Sequence, residues 1–364
     1  MDERACFLAL RLLPGIGPRR LMQLVKRYGS AQAAWNARGE WGQWPGFEKA
    51  AATASSGSVA RAVARQKRVL ASLGARIVTY PDPDYPESLR RIPDPPPLLF
   101  VRGLNRPPVA RRVAIVGTRR ASLYGLRIAR QLGRDLGAAG IEVVSGLARG
   151  IDGAAHRGAL ESGGATAAVL GCGLDVAYPP EHRDLMEEIA RHGIVLTEYP
   201  CGTKPAPGHF PARNRIIAGL ADAVVLVEAS KRSGAMHTVN LALEAGREVM
   251  AVPGDVDRWG SEGPNQLICE GATPVRHARD VLESLGCPAD IKGDAASPAT
   301  GAQEEGDDPA AAVLRLLAAS GALSLDELAA GLEQAVEDVA GAVAQLEIGG
   351  HVVRQPGGRF VLRR

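Results

Sequence analysis

The sequence has few cysteines, few aromatic residues and no long apolar run. Only five of its 364 residues are cysteines, none of them in a C-x-x-C pair, and aromatic residues make up 4% of the chain. The scattered cysteines have no metal-ligand spacing, and they fit reduced thiols in a cytoplasmic protein better than a disulfide framework. The opening residues, MDERACFLAL, lack the layout of a signal peptide. We therefore expect a cytoplasmic protein with no membrane partner and no metal site.

Two nucleotide-binding motifs are also missing. The chain contains no G-x-x-x-x-G-K-[ST] phosphate loop, and the turn after its first predicted parallel strand reads GTRRASLYG instead of G-x-G-x-x-G. The next strand ends in Ser145-Gly146, where a dinucleotide site has an acidic residue for the ribose. These absences argue against NAD and ATP, and we expect no cofactor.

The net charge of +3 conceals an uneven distribution along the chain. Residues 1–232 contain 33 Lys and Arg against 20 Asp and Glu, whereas residues 290–347 contain 2 against 12. The first two thirds of the chain could therefore attract a polyanion, and the tail could not. Alternatively, arginine is simply frequent in a chain rich in alanine and glycine, and charge alone does not separate these interpretations.

Six short apolar, β-branched runs alternate with segments of helical length from residue 113 onward. They are VAIVG, IEVVSG, TAAVLG, GIVLTE, AVVLVEA and EVMAVPG, beginning at residues 113, 141, 166, 193, 223 and 248. Continuous apolar strands that alternate with helices predict a mostly parallel sheet covered by helices on both faces. The predicted fold class is therefore α/β, doubly wound and Rossmann-like.

The predicted sheet domain spans residues 76–287, and its first part is rich in proline. Residues 80–108 read YPDPDYPESLRRIPDPPPLLFVRGLNRPP, which contains too many prolines for a helix or an interior strand. We expect an ordered connector or an edge extension of the sheet there.

The residues before the sheet domain predict a helical domain over 1–75. The turn Gly15-Ile16-Gly17 precedes a helix that begins near Pro18, a favourable position for proline, and together they resemble a helix-hairpin-helix. The amides of such a turn can hold a phosphate. This hairpin is either a DNA contact or purely structural.

The residues after the sheet domain predict a linker and a winged helix. Residues 288–311 are acidic and rich in Ala, Gly and Pro, a composition typical of linkers. Residues 312–364 contain three helical segments, one of them opened by a Ser324/Glu327 capping box, and a hairpin about Pro356-Gly357-Gly358. This order of elements is the outline of a winged-helix domain.

Several predicted strands end in turns that suit an anion. The first runs into Gly117-Thr118-Arg119-Arg120, the second into Ser145-Gly146 and Arg149-Gly150, and the fifth is followed by Ser233-Gly234. In a doubly wound sheet, ligands bind outside the carboxyl ends of the strands. We therefore expect an extended groove along this edge, with Ser145-Gly146 and Arg149-Gly150 forming a phosphate cradle.

Asp152 and His156 lie four residues apart and would share one face of a helix. They could be an acid–base pair of a hydrolase, with Glu228 at a neighbouring strand end. The interpretation that we favour is that Asp152 offsets the exposed amides near a helix N-terminus, because no nucleophile or metal set accompanies the pair. His156 is then a packing or groove-lining residue.

The stretch GTKPAPGHFPARNRIIAGL, residues 202–220, combines an aromatic side chain with cations. Phe210 could be a stacking platform for a nucleic-acid base, or it could fill a hydrophobic pocket of its own loop. The cations of this stretch, Lys204, Arg213 and Arg215, could contact phosphates or hold the loop through salt bridges.

Six blocks of the chain, in order, resemble the DNA-processing protein A family, also called DprA or Smf. They are VAIVGTRRAS, SGLARGIDGAAHRGAL, AVLGCGLDVAYP, FPARNRIIAGLADAVVLVEA, SGAMHTVNLALEAGREVMAVPG and EGPNQLICEGA. The resemblance runs from about residue 77 to 275, and the helical N-terminus and winged helix suit the family's three-part layout.

The resemblance implies a DNA-binding protein without catalytic activity. It implies that the Rossmann-like domain binds single-stranded DNA along its strand-end groove and forms a homodimer. It also implies that the protein protects incoming DNA and loads the RecA recombinase onto it in natural transformation or related recombination. The implied DNA-binding positions here are Gly117, Thr118, Arg119, Arg120, Ser145, Gly146, Arg149, Gly150, Lys204, Phe210, Arg213, Asn214, Arg215, Ser233 and Gly234. Thr118 stands where serine is common, and Ala235 stands where the family usually has another serine.

Two alternative functions fit the sequence less well. A nucleoside-monophosphate phosphoribohydrolase of the lysine-decarboxylase-like LOG type would carry P-G-G-x-G-T, whereas the corresponding strand end here reads EASKRSGAMHTVNLALE. A reader of double-stranded DNA would use the winged helix, but its supposed recognition helix, 335–347, contains Glu337, Asp338 and Glu347 and no Lys or Arg. Because these carboxylates repel phosphates, we predict a protein-contact or regulatory role for that domain.

Overall fold

The computed structural model describes residues 1–104, 111–287, 309–320, 322–332, 334–349, 351–355 and 358–362. The chain divides into two compact units, Met1–Gly293 and Asp294–Arg364, which are described separately. Within the described residues, no helix is both long and apolar enough to cross a membrane.

The first unit is built on a nine-stranded sheet with the order β1-β2-β6-β5-β4-β3-β7-β8-β9. Its strands are β1 Ala75–Thr79, β2 Leu98–Gly103, β3 Arg112–Val116, β4 Glu142–Ser145, β5 Thr166–Val169, β6 Ile194–Thr197, β7 Ala223–Leu226, β8 Glu248–Ala251 and β9 Thr273–Pro274. Strands β3 to β9 are mutually parallel, whereas β1 and β2 join antiparallel. All six predicted runs are strands of this sheet, so the doubly wound α/β prediction is confirmed.

Helices cover both faces of the sheet. Those of the first unit are α1 Glu3–Arg11, α2 Pro18–Tyr28, α3 Ala31–Asn36, α4 Glu48–Ser55, α5 Ser58–Ser72, α6 Glu87–Arg90, α7 Leu123–Ala138, α8 Ile151–Glu161, α9 Arg183–His192, α10 His209–Leu220, α11 Gly234–Glu244, α12 Glu262–Cys269 and α13 Ala278–Ser284. Short 3-10 helices cover Arg38–Gln43, Pro180–His182 and Trp259–Ser261.

The strands are apolar on both sides because both sides are buried. In β3, Val113 and Ile115 pack with residues of α7, α8 and α13, whereas Ala114 and Val116 pack with residues of α10 and α11. This two-sided burial explains why the strands read as continuous apolar runs without alternation.

The expectation that residues 80–108 contain no helix or interior strand is wrong. Strand β2 lies inside the sheet, paired with both β1 and β6, and α6 forms one short turn of helix. The prolines of this stretch stand before and after LLFVRG, which contains none, so β2 keeps every amide that its two ladders need. The edge strand of this side of the sheet is β1, which precedes the stretch, and residues 80–97 connect β1 to β2.

The N-terminal helices pack onto the sheet instead of standing apart. Phe7 and Leu10 of α1 belong to the same buried cluster as Phe100 of β2 and Leu170 after β5. Helix α2 begins at Pro18, as predicted. The Gln66 side chain of α5 is buried, donates to the Cys201 carbonyl at 2.8 Å and accepts from the Cys201 amide at 3.0 Å.

The second unit has the outline of a winged helix, as predicted. Its elements are α14 Pro309–Ser320, β10 Leu323–Ser324, α15 Leu325–Leu332, α16 Val336–Ile348, β11 Val352–Gln355 and β12 Arg359–Leu362, with β12 between β10 and β11 in an antiparallel sheet. The predicted capping box is present, since the Ser324 amide donates to Glu327 and the Glu327 amide to the Ser324 hydroxyl.

The predicted linker falls mostly outside the described residues. Of residues 288–311, only 309–311 are described, and they are already helical because α14 begins at Pro309. Pro356 and Gly357 of the predicted hairpin turn also lie outside the described residues. The domain boundaries remain predictions.

We predict that Gln66→Ala lowers the free energy of unfolding by about 2 kcal/mol, because it leaves a buried amide and carbonyl of Cys201 without partners. Urea unfolding followed by circular dichroism measures this. The control Gln32→Ala, at an exposed helical position, should change the value by less than about 0.5 kcal/mol. Equal effects of the two substitutions would contradict the role assigned to Gln66.

Candidate nucleic-acid interface

A cavity of about 810 Å³ opens at the carboxyl end of β3. It lies between the turn that follows β3 and the N-terminal ends of α10 and α11. Strand β3 is flanked by β4 on one side and β7 on the other. Successive strands are added on one side of β3 up to β6 and on its other side from β7 onward, so the strand order reverses at β3. Such a switch point is where doubly wound sheets bind their ligands. We call this space the strand-end cavity.

The strand-end cavity brings together nine of the fifteen predicted positions. They are Gly117, Thr118, Arg119, Arg120, Phe210, Arg213, Asn214, Ser233 and Gly234. A smaller adjoining cavity is lined by Gly146 and Arg149 and shares Arg119, Phe210 and Arg213 with the first. Sequence reasoning missed Tyr178, which lines both, because a tyrosine in the loop after β5 carries no motif of its own.

The exposed cations of the cavity are Arg119 and Arg120. Two hydrogen bonds fix the turn that carries them. The Thr118 amide donates to the Glu228 carbonyl at 2.7 Å, and the Arg120 amide donates to the Thr118 hydroxyl at 3.2 Å. Neither guanidinium has a carboxylate within 4 Å in the parts of the chain that the structure describes. The turn therefore presents two positive charges to solvent without internal compensation.

The N-terminus of α11 is a second anion-suited feature. No side chain caps this helix, although Ser233 stands at its N-cap position. The buried Ser233 hydroxyl makes no hydrogen bond within the described parts of the chain. An uncapped helix N-terminus with an unpartnered hydroxyl is suited to bind a phosphate oxygen.

Phe210 packs within its own loop and also lines the strand-end cavity. One side of its half-buried ring lies against Gly171, where a Cβ atom would stand 3.0 Å from the ring. The ring of Tyr178 lies 5.4 Å away and the Arg119 guanidinium 5.0 Å from the ring centroid. Phe210 therefore fills a loop pocket and also lines the strand-end cavity, beneath a cation.

Arg213 is a buried structural residue. It is 4% exposed and donates to the carbonyls of Gly146 and Val169. Burial lowers the pKa of its guanidinium to about 10, an effect that the nearby Asp152 carboxylate opposes. Arg213 stays charged at neutral pH, and its charge is directed into the protein.

The structure corrects the predicted phosphate cradle at residues 145–150. The Ser145 side chain is buried and donates to the Ile115 carbonyl. The amides of Gly146 and Ala148 donate to the Asp152 carboxylate at 3.0 and 3.3 Å. The protein's own carboxylate thus occupies the position that a phosphate would take.

Asp152 anchors this turn from the first turn of α8. Its role near a helix start agrees with the favoured interpretation, although the amides it binds belong to the preceding loop. Burial raises the pKa of its carboxyl group. The Arg213 charge and the two amide hydrogen bonds act in the opposite direction, because they stabilise the carboxylate.

The remaining predicted cations lie elsewhere. Arg215 is paired with Glu198 at 2.6 Å and lies 3.7 Å from Asp94, which makes it a structural salt-bridge residue, one of the two interpretations that the sequence left open. Arg149 is exposed and paired with Glu181. Lys204 is exposed and lines neither cavity, and Gly150 lines a different groove.

His156 and Glu228, the other parts of a conceivable hydrolase site, are used internally. The Thr166 hydroxyl donates to the Val143 carbonyl and so accepts from Nδ1 of His156, which places a proton on Nδ1. Burial lowers the pKa of His156 to about 3. The Glu228 carboxylate accepts from the amide and the hydroxyl of Ser122 at the start of α7.

We predict that His156 makes stability fall with falling pH. Its pKa is lower in the folded protein than its ordinary value of 6.5, so the unfolded chain takes up a proton that the folded one refuses. Between about pH 6.5 and about pH 5 this costs about 1.5 kcal/mol of unfolding free energy. His156→Gln should flatten the pH dependence of urea unfolding by that amount.

The exposed His192 provides the matched control, since His192→Gln should leave the pH dependence of the parent protein nearly unchanged. A His156→Gln variant that loses stability on acidification as steeply as the parent would contradict a buried neutral His156.

Comparison with known proteins gives matches along nearly the whole chain. A family model described as DNA recombination-mediator protein A matches residues 76–286. A second model, described as DprA winged helix domain, matches residues 297–358. The resemblance inferred from the sequence blocks is therefore confirmed.

Similar proteins include curated relatives and solved structures. Protein Smf of Synechocystis sp. is 35% identical over an alignment covering 100% of this chain and 99% of the relative. The X-ray structure of DNA processing protein A from Streptococcus pneumoniae aligns with a TM-score of 0.62 at 34% identity, covering 78% of this chain and 98% of that one. DNA processing protein A from Helicobacter pylori, whose structure concerns its single-stranded DNA binding mode, aligns with a TM-score of 0.52 at 30% identity, over 58% of this chain and 95% of that one.

Proposed function

Because this chain belongs to the DNA recombination-mediator protein A family, we propose that its strand-end cavity binds single-stranded DNA. The family description, a recombination mediator, confirms the expectation of a non-catalytic role and disfavours the phosphoribohydrolase alternative. The relative from Helicobacter pylori that is described as binding single-stranded DNA supports this ligand.

The observation that carries the proposal is the uncompensated charge of Arg119 and Arg120 at the switch point of the sheet. Phosphates are the ligands that such exposed guanidinium groups bind best, through parallel charge-assisted hydrogen bonds. The uncapped N-terminus of α11 lines the same cavity and offers a second phosphate position. A DNA backbone crossing the cavity would contact both.

Phe210 fits a single strand better than a duplex. Bases are available for stacking only where they are unpaired, and stacking on an aromatic ring tolerates any base. The Arg119 guanidinium lies over this ring. A base entering the cavity would therefore either push the guanidinium toward the DNA backbone and stack on Phe210, or stack on the outer face of the guanidinium. Either arrangement leaves the DNA sequence unread and favours general single-strand binding.

The partners implied by the family resemblance are part of this proposal. We propose that the DNA-bound protein loads the RecA recombinase, acts as a homodimer and works in the cytoplasm. The winged helix is proposed to contact protein, since Glu337, Asp338 and Glu347 are exposed on α16. Their negative charge opposes a phosphate backbone.

We predict that Arg119→Ala lowers the affinity for a short oligothymidine about fivefold at about 0.1 M salt, because one phosphate contact contributes about 0.7 to the dependence of log K on log salt. The slope itself should fall by about 0.7. Fluorescence anisotropy at several salt concentrations measures both quantities.

Arg191→Ala is the control, because it removes an exposed positive charge from α9, away from the strand-end cavity. It should leave the slope unchanged. A folded Arg119→Ala variant that matches this control in affinity and slope would remove Arg119 from the interface.

A further inference from the structure

Helices α7 and α8 form a second concave surface that the proposed site does not use. A groove of about 670 Å³ lies between them and shares no lining residue with the strand-end cavity. Four exposed arginines line it: Arg127, Arg130, Arg134 and Arg157. We call this surface the arginine groove.

The spacing of these residues places their charges together. Arg127, Arg130 and Arg134 are three and seven residues apart on α7, so they share one face of the helix. Like charges at this spacing repel each other on an isolated helix. The arrangement is therefore unfavourable for the helix alone and becomes favourable when an anion binds.

A close approach of the two helices brings in the fourth arginine. At Gly158 of α8, an added Cβ atom would stand 1.9 Å from the Arg130 carbonyl of α7, so only glycine allows the two backbones to touch. Arg157, next to this contact, therefore lines the same groove as the α7 arginines.

Internal carboxylates compensate only part of this charge. Arg130 is paired with Glu161 at 2.6 Å and Arg134 with its neighbour Asp135 at 3.0 Å, both at exposed positions. Arg127 and Arg157 have no carboxylate within 4 Å in the described parts of the chain. At least two guanidinium groups are thus available to an anionic ligand.

The arginine groove and the strand-end cavity lie on either side of one turn. Gly150 lines the groove, whereas the preceding Arg149 lines the small cavity that shares Arg119 and Phe210 with the strand-end cavity. A strand leaving the strand-end cavity past Arg149 would therefore reach the groove. Small residues line the groove next to this turn: Gly150, Gly153 and Ala154.

We propose that the arginine groove is a second binding site for the phosphates of single-stranded DNA, occupied by the same strand that enters the strand-end cavity. This inference rests on the proposed function, because it extends the path of that strand. It assigns phosphate binding to Arg127 and Arg157, which have no carboxylate partner in the described residues, and to Arg134, whose exposed pair with Asp135 a phosphate would replace. No contact to the bases is involved.

The test compares two oligothymidines, one of about 6 nucleotides and one of about 30, on the full chain carrying Arg127→Gln, Arg134→Gln and Arg157→Gln together. The short oligothymidine fits the strand-end cavity alone and should bind the variant as it binds the parent. For the long one, the salt slope should fall by about 2 and the affinity about 100-fold at about 0.1 M salt, since each lost contact removes about 0.7 from the slope.

Two further variants control for charge and folding. Arg61→Gln, Arg65→Gln and Arg68→Gln together remove three exposed arginines of similar spacing from α5, and this variant should bind both oligothymidines like the parent. Replacing Arg127, Arg134 and Arg157 by lysine should preserve the slope, because a phosphate contact requires the charge.

Three results would overturn the groove assignment: equal long-strand slopes for the groove variant and its α5 control, an equal loss on the short oligothymidine, or a loss confined to duplex DNA. Failure of the proposed function is distinguishable from these. In that case the parent protein itself would not bind the short oligothymidine, whatever the groove variant does.

Discussion

The candidate interface depends on a pair of opposite charges buried beneath it. Arg213, from α10, donates to carbonyls of the turn after β4 and of β5, while Asp152, from α8, binds the amides of that same turn. Each charge is buried and partly compensated by the other. Removal of either would leave an unpaired buried charge, so the two residues fix three elements against one another. Phe210 lies one turn before Arg213 on α10, and its position follows from this constraint.

Within the described residues, the cations of the strand-end cavity that have no internal carboxylate partner, Arg119 and Arg120, are the ones that can bind an anionic ligand. The turn of Arg119 and Arg120 is held by a backbone hydrogen bond from Thr118 to Glu228 and by the Thr118 hydroxyl, so its shape does not depend on what the two arginine side chains contact. Such a pre-formed site loses little backbone freedom on binding. The same distinction separates the salt-bridged Arg215 from Arg127 and Arg157 in the arginine groove, whose charge is left to an outside anion.

The sheet and its strand-end edge were predictable from the sequence. Strands buried on both faces read as continuous apolar runs, and the turns at the edge begin where these runs end. The sequence could not say which cations face outward. The partners that turn Arg215 inward, Glu198 and Asp94, come from distant parts of the chain. One signal was available: Arg213 and Arg215 are two residues apart on a helix, so they project in nearly opposite directions and cannot both line one cavity. The occupation of the predicted cradle by Asp152 depends on loop geometry that no spacing rule contains.

A crystal structure of the full chain with a short oligothymidine tests the central claim most directly. The account predicts phosphate oxygens within hydrogen-bond distance of the Arg119 or Arg120 guanidinium and of the α11 N-terminus at Ser233, with a thymine next to Phe210. It also predicts that Arg213 and Asp152 keep their internal bonds in the complex. An oligothymidine bound to the acidic α16 or to the N-terminal hairpin, with the strand-end cavity empty, would contradict the account.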